Sequence, residues 1–370
     1  MKRLHQAFEQ AGFSIRLVGG AVRDIAIGIE PKDYDFCTPA TPDQMHAVAQ
    51  ANGFGFHPTG IDHGTVTFVI NGDTFEVTTL RVDVETDGRH AQVAFVDSYE
   101  LDAARRDLTF NAMSMDIITG EVFDYFGGVR DINMQTVRFV NNPAERIRED
   151  YLRILRYFRF AARYDFKLDP YTVEQITTPE ALAGLSQISV ERFWQEMQKL
   201  LVAPGAQSVL DTMDKTGVLS VLNLRQPKPG YLPYDGSNPI VALFRYISDV
   251  DAFLEVWKLS ADEKGILRLL QSVKQHMHGT VDEILVKTLI VFGTPRHHVQ
   301  AVVDLFEPSM SEYVRNLVVP PFPVSGFDLL NMGFEQGPKL GKKIETLKRL
   351  WIMSDFRLQK QELLSVVGKH

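Results

Sequence analysis

The pattern of hydrophobic and polar positions changes once along the chain. In the first 137 residues, β-branched and aromatic runs at Thr65–Ile70 and Thr74–Leu80 flank an Asn-Gly-Asp turn, which predicts a β-hairpin. Helices are predicted near Leu4–Glu9 and over Val22–Ile27, with a short apolar strand, Ile15–Val18, between them. This part of the chain therefore predicts mixed α and β structure.

From about Pro143 the pattern becomes helical. Apolar residues recur at intervals of three to five positions, at Ile147, Leu152, Leu155, Phe158 and Ala162. A later helix is predicted over Val190–Leu201, with Ser189 as N-cap and Arg192 and Lys199 facing outward. Residues 225–239 are rich in Pro and Gly and predict a loop or linker. The fold class predicted is α+β: a small mixed β-sheet head followed by an elongated all-helical part.

Composition narrows the class of protein. A chain of 370 residues predicts two or more domains. No apolar stretch has the roughly 18 residues of a membrane span, and the amphipathic N-terminus does not resemble a signal peptide. The single cysteine, Cys37, excludes an internal disulfide and favours a cytoplasmic location.

The net charge of −8 argues weakly against nucleic-acid binding, but the charges are unevenly distributed. Residues 138–167 contain eight basic and four acidic side chains, and residues 339–360 contain seven basic and two acidic ones. The two segments are candidate contacts for phosphates.

Asp33 and Asp35 are separated by one residue in the segment PKDYDFCT. On a strand this spacing places both carboxylates on one face, where they repel each other unless a cation lies between them. Oxygen ligands of this kind suit Mg²⁺. The alternative is a solvated turn, which is the more common meaning of an isolated D-x-D.

The segment LVGGAVRD precedes this pair and predicts a strand, a glycine turn and a helix. Gly19 and Gly20 would let the backbone approach a phosphate at the helix N-terminus, and Arg23 would reach a triphosphate with its guanidinium group. A paired glycine alone is more often a simple turn. Together the two motifs place phosphate and metal chemistry at one end of a single unit.

These motifs resemble those of the polymerase-β-like superfamily branch that contains CCA-adding enzymes and bacterial poly(A) polymerases. The resemblance extends over most of the chain, through segments 17–38, 100–116, 124–132, 148–164, 188–201 and 324–347. Leu108 replaces the usual aromatic residue, and Ala91 stands where the family often has proline. Residues 225–311 show little that matches.

The resemblance implies a fold, an activity and a set of partners. The expected domains are a catalytic head (1–137), a nucleotide-selecting neck (138–203), a helical body (204–290) and a helical tail that binds tRNA (291–370). The expected reaction is template-independent addition of C, C and A to the acceptor end of tRNA from CTP and ATP, with Mg²⁺ held by Asp33 and Asp35. No membrane and no obligate protein partner are implied.

The resemblance also assigns base selection to Asp150 and Arg153, three residues apart on a predicted helix, Arg148–Tyr164. Cytosine and adenine both present an amine donor beside a ring-nitrogen acceptor, whereas uracil and guanine present the opposite order. A carboxylate beside a guanidinium group therefore matches C and A and leaves the wrong bases unpaired. The alternative is an ordinary i,i+3 ion pair.

Further residues complete the predicted site. Arg106, Arg156 and Arg159 are triphosphate candidates, and Asp107 and Asn111 are candidates for positioning the sugar or Arg106, although Asn111 is equally a helix cap. Glu76, between apolar Phe75 and Val77, is a candidate third carboxylate. Segment 81–95 resembles a flexible loop used in switching from C to A. Tyr151, Tyr157 and Phe158 are expected in the core rather than stacked on bases.

Two other functions remain open on the sequence alone. One is the same chemistry with another product, by a poly(A) polymerase or an enzyme that adds only C or only A. The other is an RNA-binding protein that has lost catalysis, which retention of the acidic and arginine motifs disfavours. The ten histidines show no ligand spacing, and His297 and His298 are expected at the surface.

Overall fold

The computed structural model describes residues 1–86, 91–225, 236–276 and 279–367. Two compact units are present, Met1–Gln226 and Pro227–His370. The first contains a mixed β-sheet followed by helices, and in the second the described elements are helices, so the predicted α+β class is confirmed. The domain boundaries at 137, 203 and 290 stay predictions.

The described strands all lie in the first unit. Their bounds are β1 Arg16–Val18, β2 Asp35–Thr38, β3 Gly55–Gly60, β4 Thr65–Ile70, β5 Asp73–Thr79, β6 Arg81–Thr86, β7 Ala91–Phe95, β8 Ser114–Met115, β9 Val122–Phe123, β10 Thr136–Val137 and β11 Lys167–Leu168.

Seven of these strands form one sheet in the order β3-β4-β5-β2-β1-β8-β9. β2 and β5 pair in parallel, with Asp35 opposite Glu76, and the other neighbours are antiparallel. The predicted hairpin is confirmed as β4–β5, and Asn71 and Gly72 adopt the positive φ values of 56° and 92° that a type I′ turn requires.

Two sequence predictions about strands need correction. β2 begins at Asp35, so Asp33 precedes the strand rather than sharing it. Segment 81–95, predicted as a loop, forms the antiparallel strand pair β6–β7. Residues 87–90 between the two strands, which include Arg89, lie outside the described part of the chain.

The helices of the first unit pack on this sheet and follow it. Their bounds are α1 Lys2–Gln10, α2 Gly20–Ile27, α3 Pro42–Asn52, α4 Tyr99–Ala104, α5 Gly128–Asn133, α6 Pro143–Glu149, α7 Leu152–Tyr164, α8 Pro170–Ile176, α9 Pro179–Leu185, α10 Val190–Leu201, α11 Ala206–Lys215 and α12 Val218–Val221. A 3-10 turn, Thr109–Asn111, lies between α4 and β8.

The predicted helix Arg148–Tyr164 is interrupted. Helix α6 ends at Glu149, Asp150 is extended with φ −156° and ψ 106°, and α7 begins at Leu152. The Asp150 carboxylate accepts a hydrogen bond from the backbone N–H of Leu152 at 3.1 Å. An aspartate that binds the backbone two residues ahead competes with helix continuation, which explains the break. Tyr157 and Phe158 are fully buried in α7, so their predicted core placement is confirmed.

The described helices of the second unit are α13 Pro239–Phe244, α14 Val250–Val256, α15 Ala261–His276, α16 Glu283–Val291, α17 Arg296–Phe306, α18 Ser311–Asn316, α19 Gly326–Asn331, α20 Pro338–Met353 and α21 Lys360–Val367. Trp351 and Leu347 of α20 pack with Leu329 and Leu363 in one buried cluster. None of the helices described in either unit is long and apolar enough to cross a membrane.

Gly128 offers a test of the packing between α5 and the 3-10 turn that carries Asn111. A Cβ at Gly128 would lie 2.6 Å from the carbonyl oxygen of Thr109 and 2.9 Å from the Cα of Phe110, both backbone atoms that cannot move aside cheaply. We predict that Gly128→Ala lowers the free energy of unfolding by about 1–3 kcal/mol, measured by denaturant titration.

Gly341→Ala is the matched control, because a Cβ at this α20 position meets nothing within 4 Å. In a helix interior the same change is expected to be neutral or to stabilise by about 0.5–1 kcal/mol. Equal effects of the two substitutions would contradict the packing argument.

Candidate active site

A cavity of 440 Å³ opens beside the glycine turn of the first unit. It collects residues that are far apart in sequence, from the N-terminal end of α2 to α7. Its lining consists of Gly19, Gly20, Arg23, Asp83, Arg105, Arg106, Asp107, Asn111, Asp150, Arg153, Arg156 and Phe160. Nine of the ten residues predicted to bind nucleotide therefore line one cavity, and their roles stay predictions.

Gly19 and Gly20 form the turn between β1 and α2. Gly19 has φ 64°, and a Cβ there would lie 2.8 Å from a guanidinium nitrogen of Arg106. Only glycine satisfies both the left-handed backbone and this close approach. Helix α2 begins at Gly20, so its first backbone N–H groups and its dipole favour an anion at the cavity.

Asp102 of α4 anchors two arginines of the lining. Its carboxylate, 3% exposed, accepts from Arg105 at 2.7 Å through one oxygen and from Arg106 at 3.0 Å through the other. Burial acts to raise the pKa of Asp102, but the two guanidinium groups outweigh it, and the pKa lies below its ordinary value. Asp102 thus stays ionised and holds both cations in place.

Asp107 lies at the centre of a second network. One carboxylate oxygen accepts from Asn111 at 3.0 Å, and the other pairs with Arg156 of α7 at 2.7 Å. The side-chain oxygen of Asn111 accepts in turn from buried Arg23 at 2.6 Å. Burial opposes ionisation of Asp107, but Arg156 and the hydrogen bonds from Asn111 and Leu108 lower its pKa far below the usual range. Asn111 therefore links Asp107 and Arg23, rather than capping a helix.

Arg159 is the predicted nucleotide-binding residue that the cavity lining does not include. It is 8% exposed, and its guanidinium group is hydrogen-bonded to the carboxylate of Glu196 on α10. Glu196 also lies 3.9 Å from Arg156. The structure thus gives Arg159 a partner between helices α7 and α10, behind the cavity.

Asp150 and Arg153 both line the cavity, but they are paired with other residues rather than with each other. Arg192 of α10 donates to the Asp150 carboxylate at 2.9 Å, so Arg192 does not face outward as predicted. Arg153 pairs with Glu149, the last residue of α6, which also binds Arg146 at 2.6 Å. Each presumed base-reading group is therefore positioned by its own partner.

Asp33, Asp35 and Glu76 lie at the ends and faces of β2 and β5, outside the cavity lining. All three are exposed, while Phe75 and Val77 are buried, so the predicted alternation around Glu76 is confirmed. Their ligand oxygens do not all lie within 4.8 Å of one another. The pKa of Asp35 lies above its ordinary value. Desolvation is the largest cause, the charges of Glu76 and Asp33 add to it, and the positive charge of Arg106 lowers the pKa in part. The three carboxylates thus form one acidic region that extends to Arg106.

Sequence reasoning missed several residues that build the cavity. Asp83 of β6, Arg105 and Phe160 are part of its lining, and Phe160 lies under the guanidinium groups of Arg159 at 4.0 Å and Arg23 at 5.0 Å. Asp102 had a readable signal, because it precedes Arg105 and Arg106 by three and four positions on a helix. No sequence pattern identifies Phe160 as a cavity residue, because an aromatic residue among the apolar positions of α7 is expected in the hydrophobic core.

Family models match the two halves of the first unit. The Poly A polymerase head domain matches residues 15–138, and the probable RNA and SrmB-binding site of polymerase A matches residues 165–226. The head match covers the glycine turn, the acidic region and the arginine-rich segment up to Asn111.

Comparison with known proteins extends the match to the whole chain. The mitochondrial CCA tRNA nucleotidyltransferase 1 of Danio rerio is 36% identical over 389 residues, an alignment that covers 99% of this chain and 90% of that protein. The Homo sapiens protein of the same name is 35% identical over 401 residues, which cover 100% of this chain and 90% of the human protein. The structure of the Bacillus stearothermophilus CCA-adding enzyme in complex with CTP superposes with a TM-score of 0.74 at 29% identity, covering 95% of this chain and 92% of that one. The chain belongs to the family of CCA tRNA nucleotidyltransferases.

Proposed function

We propose that this chain adds C, C and A to the 3′ end of tRNA from CTP and ATP and releases pyrophosphate. The observation that carries the proposal is the cavity, in which a glycine turn, five arginines (Arg153 among them) and Asp150 surround a volume of 440 Å³. A pocket of this size holds one nucleotide. Selection by protein side chains is the chemistry that this arrangement suits.

The triphosphate binds at the end of the cavity formed by Gly19, Gly20 and Arg106. Backbone N–H groups at the start of α2 and a guanidinium group held by Asp102 supply donors for phosphate oxygens. Arg156, fixed by Asp107, adds a second charge on the α7 side. Because the carboxylates already orient these arginines, binding a nucleotide costs little side-chain reorganisation.

Base selection rests on Asp150 and Arg153 at the other side of the cavity. Asp150 accepts from the exocyclic amine of C or A, and Arg153 donates to the adjacent ring nitrogen. Uracil and guanine would place a carbonyl against the carboxylate and leave charged groups unpaired. Arg192 holds the Asp150 carboxylate and Glu149 holds Arg153, so each of the two residues is oriented by a separate partner.

The acidic region fits Mg²⁺, which would be held by Asp33 and Asp35, with Glu76 as a further candidate. The support is that the Asp35 carboxylate lies opposite Glu76 in the strand register and two positions after Asp33, so that, in addition to desolvation, the neighbouring negative charges raise its pKa, a condition that a divalent cation relieves. When bound, Mg²⁺ activates the attacking hydroxyl and stabilises the charge on the leaving pyrophosphate. Arg106, which interacts with Asp35, connects this region to the phosphate end of the cavity.

The tRNA partner would contact the basic segments 138–167 and 339–360, with residues 291–370 acting as the tRNA-binding tail and 138–203 as the neck. The location is proposed as cytoplasmic, on the single buried Cys37.

The decisive experiment incubates the chain with tRNA lacking CCA and supplies each labelled nucleotide alone and in combination. Ordered addition of two C and one A supports the proposal, whereas an A tract identifies a poly(A) polymerase.

The acidic region generates the first prediction. Asp33→Asn or Asp35→Asn should lower nucleotide addition by about a hundredfold or more in Mg²⁺ buffer, because each removes a charged metal ligand. Circular dichroism and tRNA binding should stay unchanged, since both residues are exposed. Asp62→Asn, an exposed aspartate outside the region, is the matched control. Normal incorporation by Asp35→Asn would contradict the metal assignment.

The base-reading pair generates the second prediction. Asp150→Ala should reduce the preference for CTP and ATP over UTP and GTP by about ten- to a hundredfold, since a hydrogen bond to a charged group contributes about 1.5–3 kcal/mol. Arg192→Gln should reduce it in the same direction by releasing Asp150. The measurement is single-nucleotide incorporation onto tRNA that ends at the discriminator base.

Arg148→Gln is the control for Arg192, because Arg148 pairs with Glu180 on the exposed surface of the same unit. It should leave the preference unchanged. If Asp150→Ala or Arg192→Gln lowered incorporation of all four nucleotides in proportion, selection would have to reside elsewhere.

The basic segments generate the third prediction. Affinity for tRNA should fall steeply with salt despite the net charge of −8, because local lysines and arginines displace counterions from phosphates. Lys342→Ala, at an exposed position of α20, should reduce the slope of log affinity against log salt by about one. Lys215→Ala, exposed on α11, is the control, and a salt-independent affinity would refute the electrostatic argument.

A further inference from the structure

Asp262, His297 and His298 form a compact cluster in the second unit, which is separate from the cavity and independent of the proposed function. The Nε2 atoms of both histidines lie 2.7 Å from the same carboxylate oxygen, Oδ1 of Asp262. One ligand atom from each residue lies within 4.8 Å of the other two. Within the described parts of the chain, this group of three His, Cys, Asp or Glu residues is the one that meets that spacing.

Residue spacing alone does not predict this cluster, because adjacent histidines do not have the i,i+4 spacing of two ligands on one helix. The structure explains how neighbours converge. Helix α17 begins at Arg296, and the two imidazole rings stand nearly perpendicular, at 83°, with centroids 4.5 Å apart. Both rings contact Asp262 in the first turn of α15, which lies 35 positions before His297 and 36 before His298.

The site is built into the packing of the helices rather than spread over the surface. His298 is only 8% exposed, so its expected surface position is wrong. Gly265 lies one turn after Asp262, and a Cβ there would be 2.6 Å from Cε1 of His298. A glycine in the middle of a helix costs stability, and here it lets the imidazole ring lie directly on the backbone of α15. By contrast, His297 and Asp262 are more than half exposed, which gives a route to solvent.

We propose that Asp262, His297 and His298 bind a zinc ion that joins α15 to α17. Two imidazole nitrogens and one carboxylate oxygen are a ligand set that zinc takes in tetrahedral sites, with bonds of about 2.0–2.2 Å and ligand atoms about 3.3 Å apart. The present separations of 2.7 Å need only a small outward shift of the exposed side chains of Asp262 and His297. A water molecule on the exposed side completes the four ligands.

The same donors discriminate against the ion proposed for the acidic region. Mg²⁺ prefers oxygen ligands and keeps most of its waters, so a site with two imidazoles is a poor match for it. The N-terminal ends of two helices disfavour a cation, an effect that the Asp262 charge and the metal–ligand bonds outweigh. The chain thus separates a magnesium region in one unit from a zinc site in the other.

The test is zinc titration of untagged, metal-free full-length protein against a chromophoric chelator. The wild-type chain should show one tight site per molecule that His297→Ala weakens at least tenfold, and Mg²⁺ should not compete. His276→Ala is the matched control, because His276 is an exposed histidine on α15 that contacts the carbonyl oxygen of Ser272. Zinc bound elsewhere would be common to both variants.

Two further readouts keep the test independent of folding defects. Gly265→Ala, which retains all three ligands but displaces the His298 ring, should weaken zinc binding by a similar factor, with native circular dichroism. Co²⁺ added to the wild-type chain should give the intense visible absorption of a four-coordinate ion, and His297→Ala should not. Equal zinc affinity in wild type, His297→Ala and His276→Ala would overturn the proposal and identify the cluster as a hydrogen-bonded network only.

Discussion

Repulsion between guanidinium groups is the constraint on which the cavity depends. Five arginines line 440 Å³, and without compensation they would spread apart or stay disordered until a nucleotide arrived. Asp24, Asp102, Asp107 and Glu149 offset that repulsion at ion-pair distance. The cations are consequently fixed before substrate binds, which is the condition for electrostatic preorganisation.

Those carboxylates also connect the elements of the first unit. Asp107 follows the arginine pair that Asp102 holds, and its ion pair with Arg156 ties this segment to α7. Glu196 then ties Arg159, one turn further along α7, to α10. A chain of alternating charges therefore runs from Asp102 on α4, through Arg106, Asp107 and α7, to Glu196 on α10. The same ion pairs that order the lining of the cavity also hold α7 and α10 against the residues that precede them.

The sequence predicts the secondary-structure elements and most residues that line the cavity. It does not predict which side chains form ion pairs with those residues. The β4–β5 hairpin and helix Val190–Leu201 follow from local patterns, and both have the predicted character in the structure. The Asp150–Arg153 spacing was interpreted as one helical face, but a single side-chain hydrogen bond to Leu152 ends that periodicity. Arg192 and Glu196 reach the site only through tertiary packing of α10. No pattern within a segment encodes which distant carboxylate or guanidinium group will be its neighbour.

The separate anchoring of Asp150 and Arg153 has an evolutionary consequence. Arg192 and Glu149 lie outside the cavity lining, so a change at either would alter the orientation of a proposed base-reading group, Asp150 or Arg153, without altering the group itself. Nucleotide preference in such an enzyme can then drift through substitutions that an inspection of the pocket alone would judge silent. To engineer a new preference, each proposed base-reading residue would be exchanged together with the residue that orients it. The two pairs are Asp150 with Arg192 and Arg153 with Glu149, and each can be changed separately.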